Sequence, residues 1–241
     1  MRTKWLVLTL SLLVGAQAAA QEVALGVNYH RLNTAQPVHT GNNVEVLELF
    51  WYRCPHCYRL EPYLKQWLKN KPEFVEFVRM PAILNQTWSF DARVYYTLVA
   101  LDLVDKLHKP YFDAIHKERK RIVNVEQFAN WAAEHGVDRN SVLDTFTSFG
   151  VDSMLSHALD MTPRYETDGV PTIIIDGKYR TKVSQAGGHN ELIDLINHLA
   201  TVAPHAHYKN RAHALQPVRV FVVLLRATEW RRNAKADDSL H

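Results

Sequence analysis

Two cysteines three positions apart constrain this chain more than any other feature. Val44 to Trp67 reads VEVLELFWYRCPHCYRLEPYLKQW, and Cys54 and Cys57 within it are the only cysteines in 241 residues. An apolar, strand-like run precedes them. After them Leu60, Leu64, Trp67 and Leu68 recur at helical spacing. A strand that ends in C-x-x-C and passes straight into a helix sets Cys54 at the helix N-terminus. There the unpaired backbone N–H groups and the dipole favour an anion, and thiolate is the reactive form of cysteine. Cys57, a turn further in, is expected to be shielded.

How such a pair behaves depends on its compartment. Arg2 and Lys4 open the chain, Leu6 to Val14 is a nine-residue apolar core, and small residues follow, with cleavage expected after Ala18 or Ala20. This is the pattern of a cleaved secretory signal over residues 1–20, and its core is too short to span a bilayer. No cysteine sits at the cut, which argues against a lipid anchor. In an oxidising compartment a structural disulfide gains most by closing a long loop. A bridge between Cys54 and Cys57 closes almost none, so the pair points to redox chemistry rather than stapling. Charge excludes another class of function. The net +3 is unevenly placed, because residues 21–204 hold 19 Lys and Arg against 22 Asp and Glu. A mildly acidic body weighs against nucleic acid binding.

Residues 21–43 are polar and weakly patterned, ending in a Thr40-Gly41-Asn42-Asn43 turn. Val44 to Trp51 is a strand apolar on both faces, as in a strand covered on both sides, and Glu48 on it is expected to be buried. A helix from about Pro55 to Asn70 contains Pro62, which should kink it. Glu73 to Met80 is a second strand. From about residue 85 to 167 the pattern turns helical. Ala92, Tyr95, Tyr96, Val99 and Leu103 form one stripe, and Tyr111, Phe112 and Ile115 start another after Pro110. Asn124 with Gln127 resembles a capping box, Gly136 a helix stop, and Asp138 a further cap. Met154, Leu155, Ala158 and Met161 lead to Pro163. The basic run Lys117 to Arg121 reads as a solvated helix end. Val170 to Ile175 is again a strand, Asp176-Gly177 a hairpin turn, and Lys178 to Val183 the return strand. Asn190 is expected to cap a last amphipathic helix through Leu199. Residues 204–241 hold four of the 13 histidines, seven basic residues and the apolar run Val218 to Leu225; they read as a poorly ordered tail.

ELFWYRCPHCYRLEP, followed some 115 residues later by Gly169-Val170-Pro171, resembles the bacterial DsbA family of periplasmic disulfide oxidoreductases over roughly residues 22–201. The resemblance implies an α/β thioredoxin fold with an inserted all-helical domain: residues 21–84 and 166–203 as the thioredoxin-like part and 85–165 as the insertion. It implies Cys54, Pro55, His56 and Cys57 as the catalytic motif, with Cys54 the attacked sulfur of a Cys54–Cys57 disulfide. Pro171 would be a cis proline facing that disulfide, and Val170 would offer its backbone to substrate. Glu48, with Glu61 one turn after Cys57, would relay protons to Cys57. A hydrophobic groove near the site would involve Trp51 and Tyr52. No cofactor beyond the disulfide is implied. The implied partners are unfolded exported proteins with reduced cysteines and a DsbB-type quinone-linked membrane oxidase, the protein itself being a periplasmic monomer. The chain lacks the second cysteine pair of the best-studied members, so no structural disulfide is expected. A Cys54 pKa near 4, in a range whose acidic end is DsbA itself, would favour the reduced form by about 4 kcal/mol, or about 90 mV.

Other readings fit less well. Zinc needs two further ligands at suitable spacing, and no tight second pair is present. Haem attachment needs His after Cys57, where Tyr58 stands. An isomerase of the same fold usually carries a dimerisation domain ahead of the catalytic part, and none precedes it here. A reductase of this fold, or a redox-inactive module that holds unfolded chains, is the remaining contrast.

Overall fold

The computed structural model describes residues 23–203. The signal-like segment 1–20 and the basic tail 204–241 lie outside the described residues. The elements are β1 (His30–Arg31), β2 (Val44–Phe50), α1 (Pro55–Asn70), β3 (Val75–Pro81), α2 (Ser89–Ala100), α3 (Val104–His116), α4 (Val125–Glu134), α5 (Arg139–Phe146), α6 (Phe149–Arg164), β4 (Thr172–Ile175), β5 (Tyr179–Thr181), α7 (Val183–Ala186) and α8 (His189–Val202). They build one five-stranded sheet in the order β1-β5-β4-β2-β3. The β2–β3 pair is parallel, joined by α1 as crossover, and the other pairs are antiparallel.

The central strand β2 is buried along its whole length, as a strand apolar on both faces must be. Val44 and Val46 face Leu60, Leu64 and Trp67 of α1, Ile173 and Ile175 of β4, and the apolar stripe of α8. Leu47 and Leu49 face the opposite way, with Ile174, into a core shared with the helices of the α2–α6 block. That block enters and leaves on either side of Cys54: β3 leads into it and Val170 follows it. The sheet and the helices therefore meet where β2 runs into α1.

The hairpin turn forms as its sequence predicts, with positive φ at both Asp176 (54°) and Gly177 (62°). Gly177 is also required by a close approach. A Cβ there would lie 2.1 Å from the Gln36 carbonyl oxygen, where the N-terminal segment crosses and Gln36 N–H donates to Gly177 O. The same crossing forms β1, a two-residue strand on the edge of β5. It is too short to show any periodicity, and the sequence gives no sign of it.

Four helix details differ from, or refine, expectation. α3 begins at Val104 rather than after Pro110, and Pro110 lies inside it. Burial of Leu107, Tyr111, Phe112 and Ala114 outweighs the hydrogen bond that proline removes. α1 likewise continues through Pro62. The cap of α8 is Gly188 with no side-chain bond, and Asn190 sits inside the first turn. The Glu191 carboxylate lies over Gly188, where a Cβ would meet it at 2.2 Å, so an acid in the first turn complements the helix end instead. In α2 the buried face includes Val94 and Leu98, whereas Val99 is exposed. The caps of α4 and α5 form as expected: Asn124 accepts from Gln127 N–H and Asp138 from Ser141 N–H. Gln127 returns its bond to Val123 N–H, one residue before the cap. Asn124→Ala is accordingly expected to cost about 1 kcal/mol, read as a lowered urea midpoint with an unchanged m-value. The basic run Lys117 to Arg121 is exposed, as expected.

Candidate active site

Cys54 is the N-cap of α1, with φ −79° and ψ 115°, and Pro55 follows at the first helical position, where its missing N–H costs nothing. The cap is made by sulfur: Cys54 Sγ accepts the Cys57 N–H at 3.5 Å. Both cysteines are free thiols, Cys54 7% exposed and Cys57 fully buried. Cys54 is thus the more accessible of the two, but less open than the sequence suggested. The loop ahead of β4 covers it, the Cys54 thiol donating to Val170 O at 3.3 Å. The Val170–Pro171 peptide is cis.

The two thiols are driven apart electrostatically. Cys54 is lowered to about 6, first by its hydrogen bond with Cys57 and then by the backbone N–H groups of Cys57 and His56 and by the His56 side chain. Burial pushes Cys57 well above the ordinary thiol range, and the neighbouring Cys54 and Glu48 add to it. His56 is exposed, and its Nδ1 accepts from Arg59 at 2.8 Å. An arginine carries only donors, so the His56 ring proton in this arrangement sits on Nε2.

Below the pair lies a buried polar chain. Glu48 on β2 is fully buried, as expected, and its Oε2 takes the Arg79 Nε–H at 3.0 Å. Glu48 and Arg79 are register partners across β2 and β3. Arg79 Nη2 reaches both oxygens of Glu61 on α1, at 3.2 and 3.3 Å. Glu61 Oε1 meets His108 Nε2 of α3 at 3.4 Å, and His108 Nδ1 meets the Tyr52 hydroxyl at 2.9 Å. Burial raises Glu48 to about 8, partly offset by Arg79. Burial also acts to raise Glu61, but the His108 hydrogen bond and the Arg79 charge outweigh it and hold that carboxyl below its usual value.

The three residues between β2 and Cys54 are held by the helical block. Trp51 Nε1 donates to Asp91 Oδ2 on α2 at 2.8 Å, and its ring stacks on Trp88 at 4.2 Å. Arg53 pairs with the same oxygen at 2.9 Å and donates to Ile122 O. His116 Nε2–H donates to Tyr52 O at 2.7 Å. Burial lifts Asp91 to about 6 against the pull of Arg53. Tyr52 is buried, its ring packed among Phe50, Tyr111 and Phe112, so it cannot line a substrate groove; Trp51 remains partly exposed.

The structure therefore brings together Cys54, Pro55, His56, Cys57, Val170 and Pro171, and sets Glu48 and Glu61 in one network beneath them. Sequence reasoning missed Arg79, His108 and Asp91. Arg79 alone left a trace, as a lone cation in the apolar run EFVEFVRM. Among the described residues no group of three or more His, Cys, Asp or Glu side chains is arranged to hold a metal ion, and no helix is long and apolar enough to cross a membrane.

A family model for the DSBA-like thioredoxin domain matches residues 79–197. The thiol:disulfide interchange protein DsbA of Pseudomonas aeruginosa is 36% identical over 192 residues, covering 80% of this chain and 91% of its own length. DsbA of Azotobacter vinelandii is 36% identical over 189 residues, covering 77% and 88%. The crystal structure of Pseudomonas aeruginosa DsbA superposes with a TM-score of 0.74 at 35% identity, covering 78% of this chain and 98% of that one. The fold is thus the thioredoxin fold with an inserted helical block, as expected. Members of this family exchange thiols and disulfides with substrate proteins through a cysteine pair, with no separate cofactor. On the strength of these relatives and of the fold they share with it, the chain belongs to the DsbA family and is a thiol:disulfide oxidoreductase.

Proposed function

We propose that the protein donates the Cys54–Cys57 disulfide to newly exported proteins in the periplasm. The observation that carries this reading is the Cys54 sulfur at the α1 N-cap, taking the Cys57 N–H while it touches the Val170 carbonyl. A substrate thiolate attacks Cys54 Sγ, and Cys57 leaves as a thiolate. Cys57 is buried and strongly favours its proton, and Glu48, near 8, is a protonated acid at neutral pH that can supply one. A second substrate thiolate then attacks the substrate sulfur and expels Cys54. A leaving thiol with a lowered pKa departs faster, and Cys54 is the lowered one. The substrate loses two thiol protons and two electrons, and the pair gains the electrons. Val170 would pair its backbone with the extended substrate, and the partly exposed Trp51 would contribute to the substrate-facing surface.

The size of the driving force follows from the Cys54 pKa. With the thiol at about 6, only about one unit lies below pH 7. It favours the reduced form by about 1.4 kcal/mol, or about 30 mV, less than a pKa of 4 would give. The lowering comes mainly from hydrogen bonds, with the His56 charge the smallest of its causes. In the reduced protein, thiolate absorbance should titrate with a midpoint near 6. His56→Ala should raise it by less than about one unit, because the backbone N–H remains. No upward shift at all would remove His56 from the tuning.

Residues 1–20 support export, with 21–84 and 166–203 as the thioredoxin-like part, 85–165 as the inserted part, and a monomer as the working unit. A donor of this kind must be reoxidised, and a DsbB-type membrane oxidase is the partner the family pattern supports. The test is direct. Oxidised protein is mixed with a reduced, unfolded polypeptide bearing two cysteines, and polypeptide thiols are counted. Stoichiometric loss of thiols supports donation; unchanged thiols with persistent binding would instead identify a redox-inactive holding module.

A further inference from the structure

Two carboxylates share one cation beneath the cysteines, and the proton-donor reading of Glu48 does not say why Glu48, rather than Glu61, should be the protonated one. Arg79 carries a single charge and contacts both. The asymmetry comes from the helical block. His108 is buried, and it hydrogen-bonds Glu61 while the nearby Arg79 charge also acts on it. The bonds along this chain are assigned one polarity, because the buried Tyr52 hydroxyl keeps its proton and Glu61 already accepts from Arg79. The Tyr52 hydroxyl donates to His108 Nδ1, which leaves the ring proton on Nε2 to be donated to Glu61 Oε1. Glu61 therefore accepts from two sides, from His108 and from Arg79. Glu48 accepts from Arg79 through Oε2 only, and its buried Oε1 has no hydrogen-bond partner. A carboxylate with more donors holds its charge more readily, and a neighbouring anion then discourages ionisation of the other.

We propose that His108 is a positioning residue that decides which carboxylate on Arg79 is ionised: it fixes the charge on Glu61 and so keeps Glu48 protonated for Cys57. The proposal rests on the reading of Glu48 as the acid that serves Cys57. Titratable and charged groups face this centre from every surrounding element. They are Glu48 on β2, Tyr52 in the following loop, Cys54 at the head of α1, Cys57 and Glu61 on α1, Arg79 on β3, Tyr95 on α2, and His108 with Tyr111 on α3. Only His108 supplies a second donor to one carboxylate and not the other. The directions of the two carboxyl shifts, Glu48 up and Glu61 down, agree with this arrangement.

The test uses the full chain in its reduced form, labelled with carbon-13 at glutamate side-chain carboxyls and titrated by NMR, the two resonances assigned through Glu48→Gln and Glu61→Gln. In the native protein Glu61 should be ionised and Glu48 protonated at pH 7. His108→Leu removes the donor, so the Glu61 midpoint should rise and the Glu48 midpoint fall, each by about one unit or more. His108→Gln, whose amide offers one donor and one acceptor, should restore the native order. If His108→Leu does not fold, Glu61→Gln makes the same prediction for Glu48, a fall in its midpoint, by removing the anion directly. An unchanged Glu48 midpoint in His108→Leu, or in Glu61→Gln, overturns the proposal. The underlying acid role fails separately: Glu48→Gln would then donate disulfides with the native rate and pH profile, whatever His108 does to the carboxyls.

Discussion

Cys54→Ser is expected to lower the rate of disulfide donation by about a thousandfold or more, with the fold intact. The remaining cysteine cannot substitute. Cys57 is fully buried, and burial holds its thiol well above the ordinary range, so it offers neither access nor thiolate. Cys57→Ser should behave differently. Cys54 keeps its place at the helix N-cap and loses the neighbour that would displace a bound substrate. The variant's Cys54 thiolate should attack a disulfide-bearing polypeptide, expel one of that polypeptide's sulfurs as a thiolate, and accumulate as a mixed disulfide, visible by mass spectrometry and removed by reductant. Equal trapping by the two single variants would contradict the division of labour between the sulfurs.

Arg79→Met is expected to have the largest effect on stability, about 3–5 kcal/mol at neutral pH, the range for removing one partner of a buried ion pair. Protonating Glu61 in the absence of Arg79 would cost a similar amount. Without Arg79, Glu61 must find another way to stay buried, and taking up a proton at pH 7 against a normal pKa of about 4.3 costs about 3.7 kcal/mol. The sign of the pH dependence follows. In the variant the folded-state pKa of Glu61 is raised above its unfolded value. The penalty is then absent below about pH 4 and grows as pH rises toward the folded pKa. Urea denaturation of the reduced proteins should therefore show a large gap at pH 7 that shrinks to about 1 kcal/mol at pH 5. A gap that widens on acidification would mean that the network does not work as described.

Most of the candidate site was legible in the chain because it is local. Pro55, His56 and the two cysteines lie in one turn, and Glu48 announces itself as an acid in a strand apolar on both faces. Pro171 stood out only through its distance from that motif, and its cis geometry followed from the family pattern rather than from the residue. What stayed hidden is pairwise and distant. Arg79 is 31 positions from Glu48, His108 is 47 from Glu61, and Asp91 is 40 from Trp51. A periodicity shows which face a residue occupies, but not which partner the topology brings to it. The same limit explains the misplaced start of α3, where packing of Tyr111 and Phe112 overrides the local cost of Pro110. It also explains the groove role assigned to Tyr52, an aromatic side chain whose position the helical block decides.

The central claim is that the site favours the reduced pair. Its most direct test is the reduction potential of Cys54–Cys57, obtained by equilibrating the full-length protein with glutathione buffers and following the bridged fraction. The account predicts a value at least about 30 mV less negative than thioredoxin's, about −240 mV or above. A value near about −270 mV, where thioredoxin lies, would mean that the bridged form is the stable one, and would contradict a role in donating disulfides.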